Sequence, residues 1–236
     1  MKKDILVDFH SHVLPDLDDG AANIDESLRM LRSLYRQGVR YVVATPHFYP
    51  FDESPDEFLK RRQAAFDALK NSLYGIEHPK IILGAEVLYF DGICNAKEIR
   101  NLAIENTDYI MIEMPFTRWD SRTVQNILNI KSNLNLNVII AHFERYIKLQ
   151  KRSTIKTLLD ADILFQFNAG FVIRHTNNAI KYLKSGLISL IGSDCHNMSE
   201  RRPNIADALK CIDGKIGADI IDKINTISTQ ILSVSN

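Results

Sequence analysis

Histidines and carboxylates in this chain gather where short apolar runs end. Asp8-Phe9-His10-Ser11-His12 is followed by Asp18-Asp19-Gly20, and Thr45-Pro46-His47, Gly84-Ala85-Glu86, Ile112-Glu113, Ala141-His142 and Ser193-Asp194-Cys195-His196 each close a further run. Residues two apart on a strand share a face, so His10 and His12 can address one site, and so can Asp194 and His196. Taken singly, His47 or His142 reads as a packed or capping histidine, and Glu86 or Glu113 as a helix cap or an arginine partner. As a set they point elsewhere, because buried carboxylates are costly unless paired or bound to metal. The donors are nitrogen and oxygen only, which excludes a structural thiolate zinc site and suits Mn2+, Fe2+ or Zn2+. So many ligands are too many for one ion, so two or three ions with bridging carboxylates are expected, Glu86 being a good bridge. Ions about 3.5–4 Å apart clamp the attacking and leaving oxygens of an in-line displacement and lower the pKa of bound water.

Arginine supplies the substrate clue. Arg145 lies three residues after His142 in Ala-His-Phe-Glu-Arg-Tyr, and Arg201 and Arg202 follow Asp194-x-His196. A guanidinium forks onto phosphate oxygens and keeps its charge. The plainer alternative is a surface arginine paired with Glu144 or Glu200. His78, before Pro79, reads as a solvated loop residue, and His175, beside Arg174 near a helix start, stays outside the ligand set.

Positioning these residues requires strands. Seven apolar, β-branched runs are expected as strands buried on both faces: Ile5–Phe9, Tyr41–Ala44, Lys80–Gly84, Tyr109–Ile112, Asn137–Ala141, Ile163–Phe167 and Leu187–Ile191. Helical patterns lie between them. Asp25 is read as the N-cap of Glu26–Gln37, with Gly38 as its stop, and Ser54-Pro55-Asp56-Glu57 opens a helix running to about Tyr74. Asp120–Asn133, Ser153–Asp160, Thr176–Ser185, Pro203–Ile212 and Gly217–Ser233 are the remaining helical candidates. Alternation of this kind predicts an α/β fold with a parallel sheet, either doubly wound or closed into a barrel. Parallel strands present their C-terminal ends on one side, and in a barrel those ends converge on one mouth.

Bulk composition narrows the class. The 236 residues, 45% of them hydrophobic, suit one β/α domain spanning 1–236. With 29 basic and 29 acidic residues the formal charge is zero, so no general basic field draws nucleic acid or an anionic membrane. The apolar stretch after Lys2-Lys3 breaks at Asp8 and is too short for a signal-peptide core or a membrane span. Three widely spaced cysteines argue against a disulfide framework, and a cytoplasmic location is expected.

These motifs, in this order, resemble the polymerase and histidinol phosphatase (PHP) superfamily, and within it the capsule-associated bacterial manganese-dependent protein-tyrosine phosphatases. The similarity runs from Asp8 to about Leu209. It is carried by Asp8–Pro15 with Asp18-Asp19-Gly20, Gln37-Gly38-Val39 through Ala44-Thr45-Pro46-His47, Gly84-Ala85-Glu86, Ile112-Glu113, Ala141–Tyr146 and Ser193–Asn197. The resemblance implies a distorted seven-stranded (β/α) TIM-like barrel with a metal cluster at the C-terminal strand ends. By position His10, His12, Glu86 and Asp194 would hold a first ion, His47, Glu86 and His142 a second, and Asp19, Glu113 and His196 a third, with Mn2+ the expected metal. Arg145 and Arg201 match the phosphate-binding arginines. The implied partner is the phosphotyrosine-bearing tail of a bacterial tyrosine kinase that controls capsular or exopolysaccharide synthesis. The sequence leaves the oligomeric state and the choice between Arg201 and Arg202 open.

Three rivals stand beside this reading. Hydrolysis of a small ester such as histidinol phosphate would use the same site. A non-catalytic regulatory module could keep metal for stability alone. Cys94 and Cys195 each precede an arginine by six positions, at Arg100 and Arg201, the spacing of thiolate phosphatases. Neither stretch is glycine-rich, however. Cys94 opens what reads as ordinary helix, and Cys195 alternates with ligands and should face away from them. Phe48, Tyr49, Phe51, Phe116 and Trp119 follow strand ends and are read either as a wall for an aromatic ring or as residues folded back on the core.

Overall fold

The computed structural model describes residues 5–217 and 219–234. The Met1–Asp4 start of the N-terminal stretch and parts of the two chain-terminal expectations therefore lie outside the described residues. Among the described residues there are nine strands and eight α-helices, mostly in alternation. β1 (Leu6–Ser11), β2 (Val39–Ala44) and β4 (Lys80–Leu83) form one sheet in the order β1-β2-β4. β3 (His47–Phe48), β5 (Glu86–Leu88), β6 (Tyr109–Glu113), β7 (Asn137–Ile140), β8 (Leu164–Asn168) and β9 (Leu190–Gly192) form a second in that order. Every pairing is parallel.

The architecture is α/β with parallel sheets curved as a half-barrel. Its hydrogen bonds do not form the single seven-stranded ladder that was expected. Two of the expected strands lie where they were read, but each is followed by a short further strand that was not expected. β2 stops at Ala44, passes Thr45-Pro46 and resumes as β3, since Pro46 offers no N–H and fixes φ. β4 stops at Leu83, passes Gly84-Ala85 and resumes as β5. Thr45 N–H still donates to Ser11 O (2.8 Å), and Glu86 N–H donates to Pro46 O (2.9 Å), so each resumed strand is tied to its neighbour. Resumed strands of two and three residues leave no periodic signal to read. At the far edges, Ser11 bridges Cys195 in parallel and Asp194 N–H donates to His10 O (2.8 Å), which brings β9 beside β1.

Helices α1 (Ile24–Arg36), α2 (Pro55–Asn71), α3 (Ser121–Leu134), α4 (Arg152–Asp160), α5 (Ala169–Arg174), α6 (Thr176–Lys184), α7 (Ile205–Ile216) and α8 (Asp219–Ile231) join the strands. Local chemistry sets their ends. α1 is capped by Asn23, whose side chain accepts from Glu26 N–H (3.0 Å), and not by Asp25, which sits in the first turn beside the positive dipole end. Ser54 and Glu57 form a reciprocal capping box at α2, with Pro55 in its first position. α2 ends three residues before the expected Tyr74. Asp120 caps α3 through Thr123 N–H (2.8 Å). The stretch from Cys94 is not an ordinary helix but two short 3-10 turns, Ile93–Asn95 and Lys97–Leu102. α5 was not expected, because at six residues it is too short to show a period.

Two apolar layers sandwich the strands. The outer layer packs helices such as α1, through Met30, Leu31 and Leu34, onto strand residues such as Val42 and Ile112. The inner layer gathers Val7, Phe9, Val43, Ile82, Met111, Ile139 and Leu190 from six strands, and Ile231 and Leu232 close it at the end of α8. Fully burying each such side chain contributes about 1.5–3 kcal/mol.

β9 approaches β1 closely enough to demand glycine. A Cβ on Gly192 would lie 2.5 Å from His10 Cβ and 2.7 Å from the His10 backbone nitrogen. Gly192→Ala should therefore force the strands apart and cost about 1–3 kcal/mol, read as a lower midpoint in urea denaturation.

Candidate metal centre

Strand parity carries most of the ligand-type side chains to one place. Val43, Ile82, Met111 and Leu190 face the inner layer. His47, Glu86, Glu113 and Asp194 lie an even number of residues further on and continue the same face. β1 departs from this rule. Val7 and Phe9 are inward, yet His10 and His12 also reach the site, because the β1–β2 register shifts between Asp8 and Ser11. Such an irregularity exchanges the faces of a strand. His142 follows inward Ala141 and is turned in by a left-handed backbone, φ 32°. Asp194 is left-handed as well, φ 51°. Non-glycine residues in this conformation are uncommon and concentrate at functional sites.

Glu86 is the hub of the cluster and is 1% exposed. His142 Nε2 lies 2.7 Å from its Oε1, while His47 Nδ1 is 3.2 Å and His10 Nε2 and His12 Nε2 are each 3.4 Å from its Oε2. Asp194 Oδ1 stands 3.2 Å from His10 Nε2 and 3.5 Å from His12 Nε2. Asp19, at the exposed lip, reaches His196 Nε2 (3.2 Å) and His47 Nε2 (3.5 Å). Glu113 lies 3.4 Å from His142 Nε2 and 3.9 Å from His47 Nδ1. All nine expected ligand residues thus converge.

The cluster fits cations. Buried His47 Nδ1, Glu86 Oε2 and His196 Nε2 make no hydrogen bond, a costly state that a bound ion relieves. Donor atoms within 4.8 Å of one another form three overlapping groups: His12, Asp19, His47 and His196; His10, His12 and Glu86; and His47, Glu86 and Glu113. Glu113 thus groups with His47 and Glu86, where the family pattern sets it beside Asp19 and His196. Electrostatics agree. Burial opposes a charged His12 most strongly, yet the Asp18 and Glu86 carboxylates push its pKa up to about 10. Burial likewise opposes charge on His142, and Glu86 and Glu113 push it up to about 9. Burial works to raise Glu86 and Asp194, but the histidines around them hold both well below the usual carboxylate range. His196 is pushed down to about 4 by burial and by the neighbouring positive His12. The carboxylates thus draw His12 and His142 toward the protonated form, and a metal would compete with those protons for the same nitrogens.

Surrounding residues orient the ligands, and the sequence reading did not assign them this role. Asp18 is the most connected: its carboxylate takes His12 Nδ1 at 2.6 Å and accepts from Gly20 N–H (2.9 Å) and His47 N–H (3.0 Å). This carboxylate–histidine arrangement fixes ring orientation and tautomer. A Cβ on Gly20 would meet His12 O at 2.4 Å, so the turn admits only glycine without rearrangement. Asn168 Nδ2 donates to Asp194 Oδ2 (2.6 Å), and Gln166 Oε1 accepts from His142 N–H (2.7 Å). Tyr146 OH is 3.3 Å from His142 Nδ1. Asp8, wholly buried, accepts from Ser193 N–H (2.7 Å) and Ser193 Oγ (2.6 Å), and burial pushes its pKa up to about 6. Asp8, Asp18, Tyr146 and Ser193 sit inside the ligand motifs, and polar Gln166 inside the apolar run Ile163–Phe167 was a further signal.

Arg145 Nη2 and Arg201 Nη2 hold the two oxygens of Asp194, at 2.9 and 2.8 Å, with both side chains about two-fifths exposed. Arg201 Nη1 also lies 3.7 Å from Asp19. Glu144 turns instead to the Asn168 N–H. Arg202 lines a separate groove with Arg36 and Gln37, so Arg201 is the one at the cluster. His175 is exposed, its ring 5.1 Å from Phe171, and His78 bonds the Pro79 carbonyl. Of the expected aromatic wall, Phe48 (1% exposed) and Trp119 (5%) are folded into the core, leaving Tyr49, Phe51 and Phe116 exposed. Both motif cysteines are buried. Cys195 packs in the outer apolar layer and burial raises its pKa; Cys94 packs there too. No thiolate loop is formed.

A parallel α/β fold with a cluster of histidines and carboxylates able to hold cations at its strand ends, overhung by two arginines, defines the class of this site. Residues 6–232 match the family model for capsular polysaccharide synthesis, CpsB/CapC, and the chain belongs to that family. It is 28% identical over 222 residues to the tyrosine-protein phosphatase CpsB of Streptococcus agalactiae serotype III, covering 88% of this chain and 89% of that one. It is also 28% identical over 223 residues to the tyrosine-protein phosphatase YwqE of Bacillus subtilis, covering 91% and 87%. Its fold superimposes with a TM-score of 0.83, at 23% identity and covering 98% and 96% of the two chains, on a chain from the crystal structures of YwqE from Bacillus subtilis and CpsB from Streptococcus pneumoniae, described as unique metal-dependent tyrosine phosphatases.

Burial of the cysteines has a direct consequence. In the native protein a thiol reagent should titrate at most the half-exposed Cys211, with Cys94 and Cys195 reacting only on denaturation. Rapid reaction of Cys195 in the folded state would contradict its placement.

Proposed function

We propose that this chain is a metal-dependent protein-tyrosine phosphatase acting on the tyrosine-phosphorylated tail of a bacterial kinase in capsular or exopolysaccharide synthesis. One observation carries the reading: two arginines meet on Asp194 at the exposed face of a cluster of histidines and carboxylates, seven of which form overlapping groups that could hold a metal ion. His10, His12, Asp19, His47, Glu86, Glu113, His142, Asp194 and His196 would hold two or three ions, with Mn2+ suited to a mixed nitrogen and oxygen donor set. Such ions supply Lewis-acid neutralisation of phosphoryl charge and activation of water. The family membership and the names of the relatives support the phosphatase activity and the link to capsule synthesis.

The chain's own residues bind and orient. Arg145 and Arg201 present Nη atoms above Asp194, from which each can fork onto phosphoryl oxygens. Asn168 keeps Asp194 in register while the arginines engage substrate. Asp18 locks His12, and Tyr146 steadies His142. Tyrosine leaves readily, with a reference pKa of about 10, so a dedicated general acid is not required. The seven strand lines, counting β2–β3 and β4–β5 as interrupted single strands, suit a distorted barrel whose mouth holds the site. The whole is read as one domain over 1–236. Among the described residues no helix is long and apolar enough to cross a membrane, and a cytoplasmic site of action suits a substrate carried on a kinase tail.

Metal-stripped protein should be inert toward a phosphotyrosine peptide and recover with added Mn2+, the recovered activity surviving thiol alkylation. Preference for histidinol phosphate under the same conditions would retain the site and replace the substrate. Arg145→Ala and Arg201→Ala should each lower kcat/KM by about 10²–10³ while retaining bound metal. Glu86→Gln should lose both metal, by elemental analysis, and turnover. Asp18→Ala should weaken metal binding by about 10–100-fold in calorimetric titration.

A further inference from the structure

Large apolar side chains stand out in solvent where the ligand-bearing strands end. Among the described residues, the exposed large hydrophobics are Tyr49 (38%), Phe51 (82%), Tyr74 (98%) and Phe116 (70%). Tyr74 precedes β4, at the opposite end of the strands from the cluster. The others follow ligand positions: Tyr49 and Phe51 come two and four residues after His47, and Phe116 three after Glu113.

Hydrogen bonds hold these loops in place. Tyr49 O accepts from Asp52 N–H (3.1 Å). The Phe116 loop is pinned on both sides: Gln150 Nε2 donates to Thr117 O (2.8 Å), Gln150 Oε1 accepts from Trp119 N–H (2.9 Å), and Trp119 Nε1 donates to Pro115 O (3.0 Å). Trp119 folds inward from this loop while Phe116 stays out. The Tyr49 ring stacks on His47, 5.3 Å away at 17°. Phe116 lies 6.3 Å from the ring of Tyr146, which is 5.8 Å from His142. Tyr49 thus borders the His47–Asp19 side of the cluster, and Phe116 the His142–Arg145 side.

We propose that Tyr49 and Phe116 form an aromatic rim that receives the phenyl ring of an aryl phosphate, so that the site selects tyrosine esters over alkyl esters. The inference rests on the phosphatase reading above. Glu86 and Asp194 are buried, 1% and 4% exposed, while Tyr49 and Phe116 stand in solvent beside His47 and beside the Tyr146 ring next to His142, so a phosphoryl group bound at the cluster leaves its ester group on the solvent side, toward them. A phenyl ring carried by that phosphoryl group offers a face and edges to such aromatic neighbours. The single methylene of phosphoserine offers neither. Ring pairs with centroids about 4.5–7 Å apart are favourable beyond simple burial.

Calorimetry on the manganese-loaded protein tests this with phenylphosphonate, methylphosphonate and inorganic phosphate. Wild type should prefer phenylphosphonate to methylphosphonate. Tyr49→Ala and Phe116→Ala should each cut that preference about threefold to tenfold, with Tyr49→Leu as a variant that keeps bulk over His47. Tyr74→Ala should leave the preference intact. The same loss should appear as a lower ratio of phosphotyrosine-peptide to phosphoserine-peptide hydrolysis. A preference that survives the Tyr49→Ala/Phe116→Ala double variant overturns the rim and leaves the phosphatase reading standing. Binding of no phosphonate or phosphate, with no ester hydrolysed, removes both.

Discussion

The buried carboxylate of Glu86 is the interaction on which the rest of the structure turns. A carboxylate at 1% exposure is tolerable only if positive charge surrounds it. Four histidine rings stand within 3.4 Å of it, from β1, the loop after it, β3 and the end of β7, and two of them, His12 and His142, are pushed toward the charged form beside it. Each would be an ordinary packed side chain elsewhere. Around one anion they become a cluster whose orphaned nitrogens and oxygen invite cations. The strand breaks, the left-handed turns and the close β1–β9 contact are the geometry needed to point those groups at the same carboxylate.

The buried ligand-type groups gather at that end of the sheets, with two of the left-handed non-glycine backbones. His142 and Asp194 hold left-handed backbones, and Gly192 is small enough to let β9 touch His10. The opposite end is apolar and closed by Ile231 and Leu232. Stability and chemistry are thereby separated: the inner and outer apolar layers supply the folding energy, while these strand ends hold the buried charged groups. Asp18 shows how economically this is arranged. One carboxylate orients His12, fixes the backbone at His47 and closes the turn that carries Asp19.

Asp194 joins the cluster to the substrate side. Its two oxygens face two arginines, two histidines and Asn168. The arginines are the only members of this group that remain substantially exposed. They can exchange a carboxylate for a phosphoryl group with little change in geometry, since both ligands offer forked oxygens. The exposed aromatic residues on either side extend the same opening outward, from charge at its floor to apolar surface at its rim.

The sequence by itself determined the α/β class, most strand and helix positions, the histidines and carboxylates that gather at the strand ends, and Arg145 with one of two adjacent arginines. Those features are local: apolar runs, helix caps such as Ser54 with Glu57, and polar residues closing strands are written in neighbouring positions. Tertiary structure decided what depends on distance along the chain. Thr45-Pro46 and Gly84-Ala85 split two strands, and no period survives in the two or three residues of β3 and β5. The face on which His10 and His12 emerge depends on a register shift against β2, and that of His142 on a single dihedral angle. Alternation alone would send them away from Val7, Phe9 and Ala141. Arg201 and Arg202 are adjacent and chemically alike, and only folding sends one to Asp194 and the other to the groove beside α1. The same holds for Trp119 and Phe116, where hydrogen bonds to a glutamine some thirty residues away choose which ring is buried. A sequence states which groups are present, but burial and register are properties of pairs of segments, and pairs exist only once the chain has folded.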